Sequence, residues 1–329
     1  MKTVGLFFGG LSNEAEVSVN SAENFVKYFD HKKYKLALFY WHKNGFFYRV
    51  KKIDDIKNLS EKDKVSPDKF SKIMDVAFPL THGKYGEDGV LQSIFEWQRV
   101  KYCGCRVLAS ALCMDKAVFK TFMSGQKINQ VAFEIIDLAT FNKRKIDQIL
   151  LDVKKRYDLP IFVKPANSGS SVGVTKVDNY KTLTRAIREA GKHDPKIILE
   201  KGLVNPKEIE VAVIGNDHLM IPDPGELILI KDFYNYEDKY ILGQTRYSIP
   251  AKITPKQKKE IKRIAGEAYR MCDCRGFARV DFFISRGKIY LNEINTLPGF
   301  TEISMFPMLM KYSGFNFTNL IDKIIDLAL

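Results

Sequence analysis

Residues 278–295 read ARVDFFISRGKIYLNEIN, two runs of alternating polar and apolar side chains that turn at Ser285, Arg286 and Gly287. That pattern is a β-hairpin. Side chains on a strand alternate faces, so Arg279 and Asp281 share one side of the first strand, and Glu293 and Asn295 share one side of the second. Val280, Phe282 and Ile284 point the opposite way, as a strand anchored in a core requires. Three oxygen donors and a guanidinium thus meet on one polar face. Asp, Glu and Asn oxygens without His or Cys suit a hard cation, and magnesium held by few carboxylates usually brings a nucleotide phosphate with it. Taken alone, the pattern also fits a surface hairpin with chance acids.

Working back from the hairpin, strand-like runs follow each other closely: IFVKP (161–165), VGVTKV (172–177), KIILE (196–200) and EIEVAVI (208–214). Short connections predict antiparallel pairing. One helix, about 180–191, separates the second and third. Before the hairpin, Thr254, Pro255 and Gln257 form a capping-box start, and Ile261, Ile264, Ala265, Ala268 and Cys272 then fall on one helix face with a basic face outside. Between 165 and 172 lies Asn167-Ser168-Gly169-Ser170-Ser171, followed by Val172-Gly173. Its small residues let backbone N–H groups approach phosphate oxygens, with Lys164 adding charge. It is not a P-loop, because G-x-x-x-x-G-K-[ST] is absent and a strand follows where a helix should. A plain hairpin turn is the competing reading.

The first hundred residues alternate strand and helix: 3–8, a helix over about 16–29, 35–41, 74–80, a helix over about 89–97, and 100–103. This is a small parallel sheet with helices. Gly9 and Gly10 end the first strand and residues 12–16 open a helix, a place for a ligand to meet helix N–H groups. G-x-G-x-x-G is missing, which argues against a nicotinamide cofactor. The third strand ends in Thr81-His82-Gly83-Lys84-Tyr85-Gly86-Glu87-Asp88-Gly89, at a carboxyl edge where open α/β sheets bind ligands. Further helices are expected from near Met114, with Asp115 early in it and Gly125 as a stop, and over 147–156.

The chain has 329 residues, 45% hydrophobic and 28% charged, enough for two or three domains and unlike a disordered composition. Lys plus Arg exceed Asp plus Glu by 52 to 39, a formal charge of +13. The basic residues are interleaved with acids, both over 51–72 and over 256–275, which reads as solvated surface more than as a nucleic-acid face. No run approaches the roughly 18 apolar residues of a membrane span, and VGLFF is short for the roughly 7 to 15 of a signal peptide. The five cysteines read as reduced thiols in a cytoplasm.

Taken together, these residues resemble the D-alanine–D-alanine ligases of the ATP-grasp superfamily. GGLSNEAEVS (9–18), HGKYGEDG (82–89), LASALCMDK (108–116), VKPANSGSSVGV (163–174), EKGL (200–203), FYNYEDKY (233–240), ARVDF (278–282) and LNEINTLPGFTEISMFPML (291–309) stand in the family's order across nearly the whole chain. The resemblance implies an α/β fold of ATP-grasp type: an N-terminal Rossmann-like parallel-sheet domain over 1–108, a central lobe over 109–203, and a C-terminal lobe over 204–329, the last two with largely antiparallel sheets. It implies ligation of two D-alanines to D-alanyl-D-alanine for peptidoglycan precursor synthesis, with ATP and two magnesium ions, or manganese in their place.

Residue by residue, the resemblance implies metal held by Asp281, Glu293 and Asn295. Lys116 and Lys164 meet ATP phosphates, the loop with Ser170 and Ser171 closes over them, and Lys239 faces the nucleotide. Glu200, Lys201 and Leu203 serve the adenine. Glu208 serves the ribose, although an apparent extra residue in NPKEIE leaves Glu210 as an alternative. Glu14 takes the amino group of the first D-alanine and His82 lies near its carboxylate. Gly299, Ser304 and Met305 line the second subsite, and Arg279 and the Gly299 N–H stabilise the oxyanion. Residues 232–244 form a lid, and Tyr240 with Ser170 and Glu14 goes with dipeptide synthesis. Ligases making D-alanyl-D-serine or D-alanyl-D-lactate remain alternatives, as does, in another class, a non-catalytic polyanion-binding protein. The family implies a cytoplasmic homodimer, and CGCRV (103–107) departs from its usual turn.

Overall fold

The computed structural model describes residues 1–228 and 246–329. Lys239, Tyr240 and the expected lid over 232–244 lie outside the described residues.

The N-terminal sheet is built from β1 (Thr3–Gly9), β2 (Lys35–Trp41), β3 (Phe47–Val50), β4 (Lys64–Val65), β5 (Val76–Pro79) and β6 (Lys101–Tyr102), in the order β4-β3-β2-β1-β5-β6. Strands β2, β1, β5 and β6 run parallel, as the strand–helix alternation predicts. β3 and β4 add an antiparallel edge, with β4 lying within the mixed-charge 51–72 stretch read only as surface. Helices α1 (Ala15–Tyr28), α2 (Phe70–Ile73) and α3 (Val90–Trp97) accompany this sheet.

The connection to the second sheet differs from the single helix expected near Met114. Two helices, α4 (Val107–Met114) and α5 (Lys116–Gly125), meet at Asp115. The Asp115 carboxylate accepts the N–H groups of Ala117 and Val118, both at 3.0 Å, so it caps α5 instead of sitting inside it.

The second sheet, β7 (Phe133–Asp137), β8 (Ile161–Pro165), β9 (Thr175–Val177) and β10 (Lys196–Lys201), is ordered β7-β10-β8-β9 and wholly antiparallel. Helices α6 (Lys143–Arg156) and α7 (Leu183–Ala190) pack on it through Leu150, Val153, Ala186 and Ile187. β9 is shorter than the expected 172–177 strand. Ser170, Ser171 and Gly173 have φ of +47°, +61° and +74°, values a strand does not accept, so the loop runs on to residue 174.

The third sheet is also antiparallel: β11 (Lys207–Ile214), β12 (Gly225–Ile228), β13 (Arg246–Ser248), β14 (Phe277–Ser285) and β15 (Lys288–Asn295), ordered β13-β12-β11-β14-β15. The hairpin expected over 278–295 is β14–β15, turning at Arg286 and Gly287, with one register shift between Asp281 and Phe282. Helix α8 (Pro255–Met271) starts at the Thr254–Gln257 capping box and buries Ile261, Ile264, Ala265 and Ala268 against Val211, Val280 and Ile294. Cys105, Cys113, Cys272 and Cys274 are buried in the same core; burial holds the Cys105 thiol well above the ordinary range, and hydrogen bonds among the thiols, with burial, do the same for Cys113 and Cys274.

Two helices follow β15: α9 (Met305–Tyr312) and α10 (Phe317–Ala328). α10 comes last in sequence but closes the first sheet's core, where Leu320, Ile321, Ile324 and Ile325 join Leu6, Phe8, Phe25, Val76 and Phe78. The Tyr34 hydroxyl, just before β2, reaches Asp326 at 3.2 Å and Thr318 donates to the Tyr28 carbonyl at the end of α1 at 2.9 Å, tying both ends of α10 to the N-terminal unit. The chain's two ends therefore share one core. Ile324 is fully buried there, so Ile324→Ala should lower unfolding free energy by about 2–4 kcal/mol. Urea denaturation checks this, and a loss below about 0.5 kcal/mol, the range of surface substitutions, would exclude α10 from the cooperative core.

Candidate active site

The polar face of the third sheet carries the densest charge. Strand register places Glu210 of β11 opposite Asp281 of β14, and Asp281 opposite Glu293 of β15. Three carboxylates thus lie in one row across three neighbouring strands, where like charges repel. Arg279, two residues along on the same face, answers two of them. Its Nε lies 3.0 Å from Glu210 and 2.8 Å from Asp281, and its Nη2 2.7 Å from Asp281. Burial works against the guanidinium's charge, but Asp281 and Glu210 outweigh it and hold the pKa well above the ordinary value. Asn295 Nδ2 donates to Asp281 at 2.8 Å, and Lys116 Nζ stands 3.4 Å from Glu293.

Among the described residues, no three His, Cys, Asp or Glu side chains form a metal-binding cluster. The donors at this face are two carboxylates and one amide, Asp281, Glu293 and Asn295. That set is hard in character and too small to fill a coordination sphere. It fits an ion such as magnesium, which keeps remaining positions for phosphate oxygens and water.

A second charged group sits under the second sheet. Glu200 is buried between Lys120, 2.6 Å away, and Lys164, which donates to its other oxygen. Burial pushes its carboxyl up, but the two lysines outweigh this and bring it to about 2. Lys164 is held above the ordinary lysine range because Glu200 overcomes the effect of burial. Lys120 was not singled out from the sequence. Its signal was there, one helical turn beyond Lys116 on the apolar face of α5, where a lysine requires a buried partner.

The third contribution comes from the N-terminal loops. Glu14 accepts a hydrogen bond from the Ser170 hydroxyl, joining the loop after β1 to the loop after β8. A Cβ at Gly169 would lie 2.8 Å from the Glu14 carboxylate, and one at Gly83 closer still, so both glycines permit that carboxylate its position. Lys116 donates to the Ser168 carbonyl at 2.8 Å and ties down the same loop. His82 is buried, with Nδ1 3.1 Å from the Leu297 carbonyl and Nε2 3.2 Å from the Ser21 hydroxyl. A carbonyl only accepts, so Nδ1 carries the proton and Nε2 accepts from Ser21. Burial lowers the His82 pKa, and the ring is neutral. Both ring nitrogens are thus engaged within the protein.

These groups surround one cavity of about 980 Å³ between the three sheets. Glu14, His82, Lys116, Lys164, Ser170, Ser171, Glu200, Lys201, Leu203 and Glu208 line it, as do Arg279, Asp281, Glu293, Asn295, Gly299, Ser304 and Met305. Every candidate among the described residues therefore falls in the same cleft. Some are already engaged: the Lys201 N–H donates to the Ala132 carbonyl at 3.0 Å, and Ser304 Oγ bonds the Thr301 N–H and hydroxyl at 3.1 and 2.8 Å.

Two models from one family match the chain, "D-ala D-ala ligase N-terminus" over residues 3–105 and "D-ala D-ala ligase C-terminus" over residues 122–326. The chain belongs to the D-alanine–D-alanine ligase family. The D-alanine–D-alanine ligase of Caldicellulosiruptor bescii is 40% identical over 99% of this chain and 94% of that protein. That of Clostridium acetobutylicum is 40% identical over 99% and 98%. Among solved structures, the VanG D-Ala:D-Ser ligase from Enterococcus faecalis superposes with a TM-score of 0.87 at 33% identity, covering 100% of this chain and 99% of its own. The D-alanine–D-alanine ligase from Coxiella burnetii gives 0.83 at 31% identity, over 100% and 95%. The ATP-grasp fold expected from the resemblance is the fold observed.

Glu87, in the family's HGKYGEDG stretch, also lines the cleft. Burial first, then the Glu14 charge, raise its pKa from 4.5 to about 8. The folded protein therefore holds this proton more tightly than the unfolded chain does. Ligand-free stability should fall as pH rises from about 4.5 to about 8 and level off above that. In Glu87→Gln the fall should disappear, leaving the opposite rise from His82, whose lowered pKa adds stability as pH climbs toward about 6.5, as read by urea unfolding at pH 5.5 and 8; a fall of unchanged size would mean the proton is held elsewhere.

Proposed function

We propose that this protein joins two D-alanines into D-alanyl-D-alanine at the expense of ATP, through an acyl phosphate. The observation carrying this reading is the cleft itself, where a hard-cation donor set, partly buried lysines and the Glu14 carboxylate line one space between three sheets. A carboxylate is a poor electrophile. The first D-alanine must therefore be activated, its carboxylate oxygen attacking the γ-phosphorus while the bond to ADP breaks. Such a transfer needs charge neutralisation and in-line positioning more than covalent help.

Glu14, anchored by Ser170, holds the ammonium of the first D-alanine. Lys116 and Lys164 hold ATP phosphates, and the loop carrying Ser170 and Ser171 lies over them. Asp281, Glu293 and Asn295 hold two magnesium ions, for which manganese can substitute. When bound, these ions supply positive charge at the phosphates. Glu200, Lys201 and Leu203 face the adenine. Glu210 is committed to Arg279, which favours Glu208 over Glu210 for the ribose. The amine of the second D-alanine then attacks the acyl carbon, and phosphate leaves as the amine sheds a proton. Arg279 and the Gly299 N–H face the tetrahedral oxyanion, with Ser304 and Met305 lining the second subsite. His82 buttresses the first subsite through Ser21 and Leu297. Lys239 and Tyr240, over the nucleotide and the loops, rest on the resemblance, as do the lobe boundaries at 108 and 203, the homodimer and the cytoplasmic location. No described helix is long and apolar enough to cross a membrane.

A second reading, D-alanyl-D-serine formation, is favoured by the close superposition on a D-Ala:D-Ser ligase. Purified protein given ATP, magnesium and D-alanine should release phosphate and form dipeptide. Absence of turnover with any D-amino acid or D-hydroxy acid pair would overturn the proposal. D-alanine in competition with D-serine and D-lactate at several pH values should give mainly D-alanyl-D-alanine, whereas mainly mixed product selects the second reading. Glu293→Gln, which removes a carboxylate from the donor set, should lower kcat by at least about 100-fold, equivalent to roughly 2.7 kcal/mol. Wild-type turnover in that variant would refute the metal assignment.

A further inference from the structure

Away from the cleft, a cavity of about 540 Å³ opens where three parts of the chain meet. Arg99 and Lys101 come from the end of α3 and from β6, Arg106 from the turn into α4, and Arg275 from the turn between α8 and β14. None of the residues lining it lines the catalytic cleft. Four exposed cations thus border one hollow; among the described residues its lining holds one carboxylate side chain, Glu96, which already accepts from the Tyr102 hydroxyl at 2.7 Å. Lys101 donates to the Leu329 backbone oxygen. Arg275 reaches Asp273 only at 3.9 Å, with both side chains about half exposed. Arg99 and Arg106 have no carboxylate within ion-pair distance among the described residues.

The floor is held firmly. Gly276 has φ +71°, and a Cβ on it would lie 2.8 Å from the Gly104 nitrogen, so the two turns are in backbone contact. Asn216 accepts the Gly276 N–H at 2.9 Å and donates to the Leu327 carbonyl at 3.0 Å, linking that floor to α10. Clustered like charges repel, and a concave wall concentrates their field on an anion. Arginine forks match phosphate oxygens two at a time, and the volume suits a small ligand. We propose that this cavity binds a small polyphosphate anion, of the size of pyrophosphate or a nucleoside diphosphate. The site stands independently of the ligase reading.

The test is calorimetric titration of the full chain with pyrophosphate, and separately with ADP, at about 0.15 M salt, where remote surface charges are largely screened. With pyrophosphate a saturable site that survives Lys164→Ala is expected, and with ADP one site beyond that of the cleft. Arg106→Ala combined with Arg275→Ala should weaken it by roughly tenfold or more, whereas Lys164→Ala, in the cleft, should leave it unchanged. Arg106→Lys with Arg275→Lys should recover part of the affinity, and the arginine variants should unfold at the wild-type temperature, whereas Lys164→Ala, which leaves Glu200 short of a partner, is titrated well below its own unfolding temperature. If ADP shows only the cleft site, the hollow is for the free anion; if ADP shows a second site that the arginine variants weaken, the hollow also accepts a nucleoside. Non-saturating heat, affinity unaffected by the arginine variants, or loss of binding in Lys164→Ala instead would overturn the proposal.

Discussion

The row Glu210, Asp281 and Glu293 is the constraint on which the rest of the architecture depends. Three carboxylates on adjacent strands are stable together only when positive charge is brought to them, and the strand register leaves little choice about where. One residue along, the row reads Val211, Val280 and Ile294, all buried against α8. The same pairing therefore sets an aliphatic row into the core and an acidic row into the cleft. A slip of one residue would exchange them, burying three charges and exposing the core. Hydrophobic burial thus holds the acids close together against their repulsion. Arg279 meets part of the demand from within the sheet, Lys116 reaches in from α5, and the remainder suits cationic ligands.

The same logic governs Glu200. Its carboxylate faces Lys120 from α5 and Lys164 from β8, so the second sheet and the helix packed on it are joined by charge as well as by apolar contact. Removing one lysine would leave a buried charge partly unpaired, which ordinarily destabilises far more than losing a surface ion pair. Glu14 and Lys116 then hold the 166–174 loop from two sides, through the Ser170 hydroxyl and the Ser168 carbonyl. Consecutive serines with positive φ are unfavourable by themselves, and these flanking contacts are what hold them in place. The cleft is therefore a junction, and each wall is fixed by a side chain reaching from another part of the chain.

What was legible in the sequence follows from range. The β14–β15 hairpin, the capping box at Thr254 and the strand–helix alternation of the first hundred residues are local patterns, and all appear in the structure. The ordered motifs added the family and gathered the candidates before any geometry was known. What escaped depends on distant partners. Asp115 caps α5 because a second helix ends just before it. β4 is strand only because β3 offers an edge. α10 looks like part of the third lobe until its isoleucines meet Phe8 and Phe25. Lys120 stands on the apolar face of α5, so the sequence marks it as a buried lysine, but its partner Glu200 lies eighty residues later and no local pattern names it.

The net charge of +13 now divides into unequal parts. At the cleft and just behind it, Lys116, Lys120, Lys164 and Arg279 face Glu200, Glu210, Asp281 and Glu293, so these cations are answered by the protein's own acids. Fixed charges already opposed by partners act through local geometry more than through a far-reaching field. On α8, Arg263 is paired with both Glu260 and Glu267, and Lys258 and Lys262 reach Asp223, so part of that basic face is also answered. Overall positive charge therefore does not by itself make a polyanion-binding surface. Recognition of an anion needs cations that remain unanswered and are gathered around a concave space. Outside the cleft, Arg99 and Arg106 meet both conditions and Arg275, loosely paired with Asp273, stands beside them, because the close approach of Gly104 and Gly276 brings the three to one hollow.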